Sequence, residues 1–193
     1  MAEILKRWHQ LLERPGCNWL PLPKAQSSEK SQSNGKFDEL RDEPLFVAVS
    51  KTDAATLAAY DRALATVPLF IEHIERNADA LCSAKLRFRD PDESERLGED
   101  SFLFLWLTAV HYHAEERLFS GAFFELPPEL QKWHQVGQRL AFEGDDIFDW
   151  MILDEGHLHG GFTLRVARDK LPEKDRGSYD RYVGVSVYEP LPS

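Results

Sequence analysis

The chain has 193 residues, 42% apolar and 29% charged, with 33 acidic residues against 23 lysines and arginines and a formal charge of −10. That apolar content can bury a core, so a wholly disordered chain is excluded and one globular domain with a modest appendage is expected. The acidic balance lacks the basic surface that phosphate-backbone binding requires, and no window approaches the roughly 20 apolar residues of a membrane span, so neither nucleic acid nor a bilayer is an expected partner.

The N-terminus, MAEILKRWHQLLERPG, mixes charges with apolar residues and has no separate apolar core or small-residue cleavage site, which points to a cytoplasmic protein. Ile4, Leu5, Trp8, Leu11 and Leu12 recur at helical spacing, predicting an amphipathic helix over 2–14 that stops at Pro15-Gly16. Residues 21–44 are rich in Ser, Pro, Lys and Glu and have the composition of a linker. The division expected is therefore a helical and polar arm over 1–43 and a single α+β domain over 44–193. Cys17 and Cys82 lie in unrelated segments without C-x-x-C spacing, which fits a reducing compartment and marks neither as a nucleophile.

LFVAV at 45–49 reads as a strand. Thr52 or Asp53 can cap a following helix whose apolar face would carry Leu57, Tyr60, Leu64, Val67, Ile71 and Ile74, with a kink or a restart at Pro68. KLRFRD at 85–90 alternates as a strand with one wet face, DPDESERLGED reads as a loop, and SFLFLWLTAVHYH reads as a central strand covered on both sides. AEER then turns the chain into LFSGAFFEL, and Gln138–Glu143 and Ile147–Leu153 form two more strands joined at Gly144-Asp145-Asp146. The fold expected is α+β, an antiparallel sheet of about five to six strands packed with a few helices.

In DWMILDEGHLHGGFTLRVARDKL, residues 149–171, Asp154-Glu155-Gly156 supplies a turn and His157-Leu158-His159 returns as a strand to Gly160-Gly161. Thr163 is expected to cap a helix that runs to Pro172, where PEKDRGSYDRYV can open another. Trp150 reads as a core anchor. Asp149-Trp150-Met151, Gly156-x-x-x-Gly160-Gly161-Phe162-Thr163-x-Arg165, Arg168-Asp169 and Leu171-Pro172-x-x-x-Arg176-x-x-x-Asp180 together resemble the bacterial family known as domain of unknown function 2314, over roughly residues 53–183. The resemblance implies the family's fold, a bacterial origin and independence from cofactors, and it transfers no catalytic residue.

Three constellations are candidates for function. His111 with His113 and His157 with His159 form H-x-H pairs that would hold zinc, nickel or copper, aided by Glu115, Glu116 or Glu155, if the fold brought them together. Asp149, Glu155 and His157 are the acid/base alternative for a hydrolytic enzyme, although no nucleophile elbow, phosphate loop or dinucleotide fingerprint accompanies them. Arg165 and Arg168 are expected to pair with Asp169 or the acidic turn.

The third is electrostatic. Glu143, Asp145, Asp146, Asp149, Asp154 and Glu155 lie between Arg139 and His157 with no Lys or Arg among them, interleaved with Phe142, Phe148 and Trp150. Such a surface suits a basic protein partner, since opposite potentials speed association and aromatic residues hold the complex. The reading favoured is a non-enzymatic interaction protein, in its concrete form an immunity or antitoxin-like inhibitor of a basic effector, with no cofactor.

Overall fold

The computed structural model describes residues 53–76 and 80–191. Helices α1 (Ala54–Ala65) and α2 (Val67–Arg76) precede strand β1 (Leu81–Asp90), helix α3 (Pro91–Leu97) and strands β2 (Ser101–His113) and β3 (Leu118–Phe123). Strands β4 (Arg139–Phe142), β5 (Asp149–Asp154) and β6 (His157–Gly160), helices α4 (Phe162–Lys170) and α5 (Glu173–Val183), and strand β7 (Val187–Tyr188) complete the order. The amphipathic N-terminal helix, the polar linker and the strand expected at 45–49 lie outside the described residues.

The strands form one sheet in the order β4-β3-β2-β1-β5-β6-β7. The α+β class is as expected, and the sheet is antiparallel except where the two-residue β7 runs parallel to β6. Alternation along β5 divides the core. Trp150 and Ile152 face α1 and α2, in a cluster with Ala59, Ala63, Val67, Phe70, Leu105 and Leu107. Met151 and Leu153 face the other side, with Trp106, Leu158, Leu164, Val183 and Val185.

Two local expectations need correction. Residues 91–97 are a helix rather than a loop: Asp90 caps it by accepting from the Glu93 N–H at 3.0 Å, Pro91 sits in its first turn, and Gly98 ends it at a φ of 71°. The restart expected near Pro68 is present, with α1 and α2 separated at Thr66, but the buried face is offset from the apolar stripe. Leu57 and Leu64 are exposed, whereas Thr56, Ala59, Ala63, Val67 and Phe70 are buried, small alanines letting the α1 backbone approach Trp150 closely.

Strand β2, beside the central β1, contains a bulge. Ala109 has a φ of 49° and the β2–β3 register shifts between Thr108 and His111, so one residue is inserted without a partner. The shift settles which face His111 and His113 occupy.

Candidate functional site

Asp149 is the first residue of β5 and stands opposite Lys85 of β1, both fully buried or nearly so. Its Oδ1 accepts from the Trp150 N–H at 2.8 Å and the Phe162 N–H at 3.1 Å, and its Oδ2 accepts from the Thr163 N–H at 2.7 Å and the Thr163 hydroxyl at 2.5 Å. Lys85 Nζ in turn donates to Thr163 Oγ1 at 2.9 Å. A carboxylate at a helix start is favoured by the unpaired N–H groups there and by the helix dipole. Asp149 thus supplies from a neighbouring strand the cap that Gly161, which precedes α4 with a φ of 64°, has no side chain to give. Thr163 is not the cap, as the sequence had suggested, but lies inside the first turn.

Burial pushes the Lys85 ammonium down to about 8, with Asp149 pulling it back up, and pushes the Asp149 carboxyl up against the opposing pull of Lys85, Thr163 and Phe162. An unfolded lysine keeps its ordinary value of 10.5, so between pH 8 and that value the unfolded chain binds more protons and stability rises with pH through this group. The native protein is therefore expected to gain about 2 kcal/mol over Lys85→Met between pH 8 and pH 10, measured by paired denaturant titrations. Burial raises Tyr60, Tyr179 and Tyr188 as well, which lowers stability above pH 10, but that loss is common to both proteins and cancels in the difference. Parallel pH profiles would contradict the assignment.

The rest of the motif is tied up in the same corner. Trp150 Nε1 donates to Ala63 O at 3.2 Å and Thr66 Oγ1 at 3.0 Å, while its ring stacks on Phe70 at 5.2 Å. Arg165 donates to the carbonyls of Gly160, Leu158 and Glu189, and Arg168 forms a two-pronged pair with Asp180, which also accepts from the Tyr188 hydroxyl. Neither arginine reaches Asp169 or the acidic turn by a hydrogen bond or ion pair, contrary to expectation. These contacts pin β6, α4, α5 and the C-terminal strand to one another.

The histidine pairs do not meet. Alternation after the bulge puts His111 and His113 beside Ser120, opposite the face that carries Tyr112 and Phe119, and His113 Nε2 lies 2.8 Å from Ser120 Oγ. His157 and His159 pair with Asp154 and Ile152 on the α1–α2 face. Three strand spacings, roughly 14 Å, and the thickness of the sheet separate the pairs. His159 instead packs on the His73 ring at 4.8 Å, and His157 Nδ1 lies 2.7 Å from Glu189 Oε1. Among the described residues no group of three or more His, Cys, Asp or Glu side chains is placed to hold a metal ion. The acid/base alternative also comes apart, because Asp149 is buried at one end of β5 while Glu155 and His157 lie at the other.

The acidic cluster is similarly redistributed. Asp149 is fully buried and cannot face a partner. Glu143, Asp145 and Asp146 are exposed on the 3-10 turn before β5, and Asp154 and Glu155 are exposed after it, so two acidic edges lie roughly 17 Å apart across the strand. None of these five forms an ion pair with a described residue.

Of the interleaved aromatics, Phe142 and Trp150 are core, whereas half-buried Phe148 joins a group that the sequence had not marked. Its ring lies 5.0 Å from Phe104 and 5.2 Å from Tyr60, and the exposed Arg87 guanidinium lies 5.2 Å from Phe148 and 4.5 Å from Phe102. These rings occupy the end of the β1–β2 ribbon that extends past β5, so β2 is not covered on both sides along its whole length. Alternation of Arg87 and Arg89 with Leu86 and Phe88 along β1 was the signal available for this wet face.

The model of the family described as an uncharacterized protein conserved in bacteria (DUF2314) matches residues 53–187. A putative ankyrin repeat protein of Neisseria meningitidis serogroup B is 28% identical over 95 residues, covering 48% of this chain. The match spans 36% of that relative's length. No solved structure matches.

Proposed function

Because this chain belongs to the DUF2314 family, and its motif residues are engaged in internal packing, we propose that it is a non-enzymatic interaction protein. Its docking surface is the acidic turn Glu143, Asp145 and Asp146 together with the adjoining rings of Phe148, Phe104 and Tyr60. The observation that carries this reading is the set of exposed acids without an ion pair among the described residues, two residues from a half-exposed aromatic group. Acids of this kind steer a partner of opposite charge, and aromatic anchors slow its departure. The similarity to part of a longer, ankyrin-repeat protein agrees with a module that works by contact, since repeat arrays present extended binding surfaces. The partner is a basic protein, and in the specific form of the proposal the chain is a cytoplasmic immunity or antitoxin-like inhibitor of a basic effector. No described helix is long and apolar enough to cross a membrane.

The test is affinity purification from native cells, followed by charge reversal at Asp145→Lys with Asp146→Lys. A stoichiometric basic partner should bind at least tenfold more weakly to the double variant, mostly through a slower association rate, a difference that added salt shrinks. The melting temperature should stay within about 2 °C, because exposed charges contribute little to stability. Recovery of no stoichiometric partner, or of one indifferent to the reversal, would overturn the reading.

A further inference from the structure

On the sheet face beneath α5, five adjoining positions of the three central strands carry polar atoms where such a face is ordinarily apolar. Thr108 stands directly across from Ser83, and in the neighbouring row Trp106 stands across from Lys85, which stands across from Asp149. All five side chains are at least nine-tenths buried, Ser83 and Asp149 completely. Ser83 Oγ, Thr108 Oγ1 and Trp106 Nε1 have no hydrogen-bond partner among the described residues. An orphaned buried polar group costs about 1–3 kcal/mol, so three on one patch need a physical reason.

The demand is one-sided. Both oxygens of Asp149 are taken by Trp150, Phe162 and Thr163, and Thr163 Oγ1 already accepts from Lys85. The indole and the ammonium can only donate, and each hydroxyl has a proton to give. What remains unmet is therefore acceptors. Facing side chains on paired strands stand about 5 Å apart and those two positions along a strand about 7 Å apart, so a group spanning the patch is a few atoms across.

We propose that Ser83, Lys85, Trp106 and Thr108 form a binding site for a small oxyanion of the size of acetate or nitrate. The ammonium supplies its counter-charge, while Asp149 is occupied with the N-terminus of α4. On this face α5 packs Val183 into the cluster of Trp106 and Met151 and is held by the Arg168–Asp180 pair and by the Tyr179 hydroxyl donating to Leu164 O. This site lies apart from the acidic docking turn, so the two readings stand or fall separately.

Titration of the full chain with sodium acetate and sodium nitrate, against sodium chloride at equal ionic strength, tests the assignment through the Trp106 indole N–H in nitrogen–proton correlation spectra. Acetate or nitrate should move that resonance saturably. The dissociation constant should rise at least tenfold in Ser83→Ala and in Thr108→Val, and again on raising the pH from 7 to 9.5, where Lys85 gives up its proton. Both substitutions are small, and their melting curves establish that they fold. The proposal is overturned if neither oxyanion gives a saturating shift, if chloride shifts the indole equally, or if the two variants bind as the native chain does. It is also overturned if the variants are merely more heat-stable with no binding to lose, since the hydroxyls would then be surplus polar groups or hold water alone.

Discussion

Asp149→Ala is expected to lower the unfolding free energy by about 3–5 kcal/mol and the melting temperature by roughly 10 °C or more. The size follows from what the carboxylate holds. It accepts from three backbone N–H groups and the Thr163 hydroxyl inside the protein, and it is the counter-charge of a fully buried lysine. Alanine leaves the first N–H groups of α4 without a cap and Lys85 without an opposite charge, and water cannot reach either. Asp149→Asn keeps the shape but turns one acceptor into a donor facing Thr163, so it should cost less than alanine and still more than 1 kcal/mol. Lys85→Met should cost least of the three, because Asp149 retains its four hydrogen bonds and only the Lys85–Thr163 bond and the attraction between the two opposed charges are lost. Chemical denaturation of the three variants gives the order directly. If Lys85→Met proved more damaging than Asp149→Ala, the carboxylate would not be the organising group.

That ranking bears on why the chain could be read so far and no further. The period-two pattern in Leu118–Phe123 was visible because one side chain in two meets the core, and Gly98, Gly160 and Gly161 mark positive φ angles that other residues adopt at a cost. The α+β class was legible for the same reason, as local rules acting on neighbouring residues, while the Asp149-to-Asp180 segment stood out by its resemblance to the family. Which acids reach the surface was not. Asp149 is indistinguishable from Asp145 along the sequence, and only the pairing of β5 with β1 buries it against Lys85, 64 positions away in the chain. The histidine pairs failed for a related reason, since the bulge at Ala109 and the strand order decide the face and the separation. The aromatic surface around Phe148 was hidden because β2 reads as uniformly apolar, while β5 stops short of Phe102 and Phe104. Long-range register therefore controls the candidate site, and register is set by contacts no short window contains.

The glycine pair provides the sharper test of the packing argument, because its two members differ in what surrounds them. A methyl group added to Gly160 would lie 2.4 Å from the Trp150 carbonyl oxygen and 2.6 Å from the Trp150 ring, at a φ of 67°. Neither obstacle can yield: the carbonyl belongs to β5 and accepts from the Gly161 N–H at 2.8 Å, and the ring is locked between Phe70 and Phe162 with its nitrogen bonded to Ala63 O and Thr66. At Gly161 the methyl would instead meet the Leu158 side chain at 2.9 Å, the end of a flexible group that can rotate aside. Both positions carry the left-handed penalty for a non-glycine residue, on the order of 1 kcal/mol. Only Gly160 adds displacement of a strand and a core tryptophan, for which overpacking costs about 1–3 kcal/mol or more. Gly160→Ala is therefore expected to lose about 3–5 kcal/mol and Gly161→Ala about 1–2 kcal/mol, read from thermal and urea melts of the two variants. The near-ultraviolet circular dichroism of Gly160→Ala should also change as Trp150 is pushed from its site, whereas that of Gly161→Ala should match the native protein. Equal losses in the two variants would show that backbone angle alone, and not the approach of β6 to Trp150, requires glycine here.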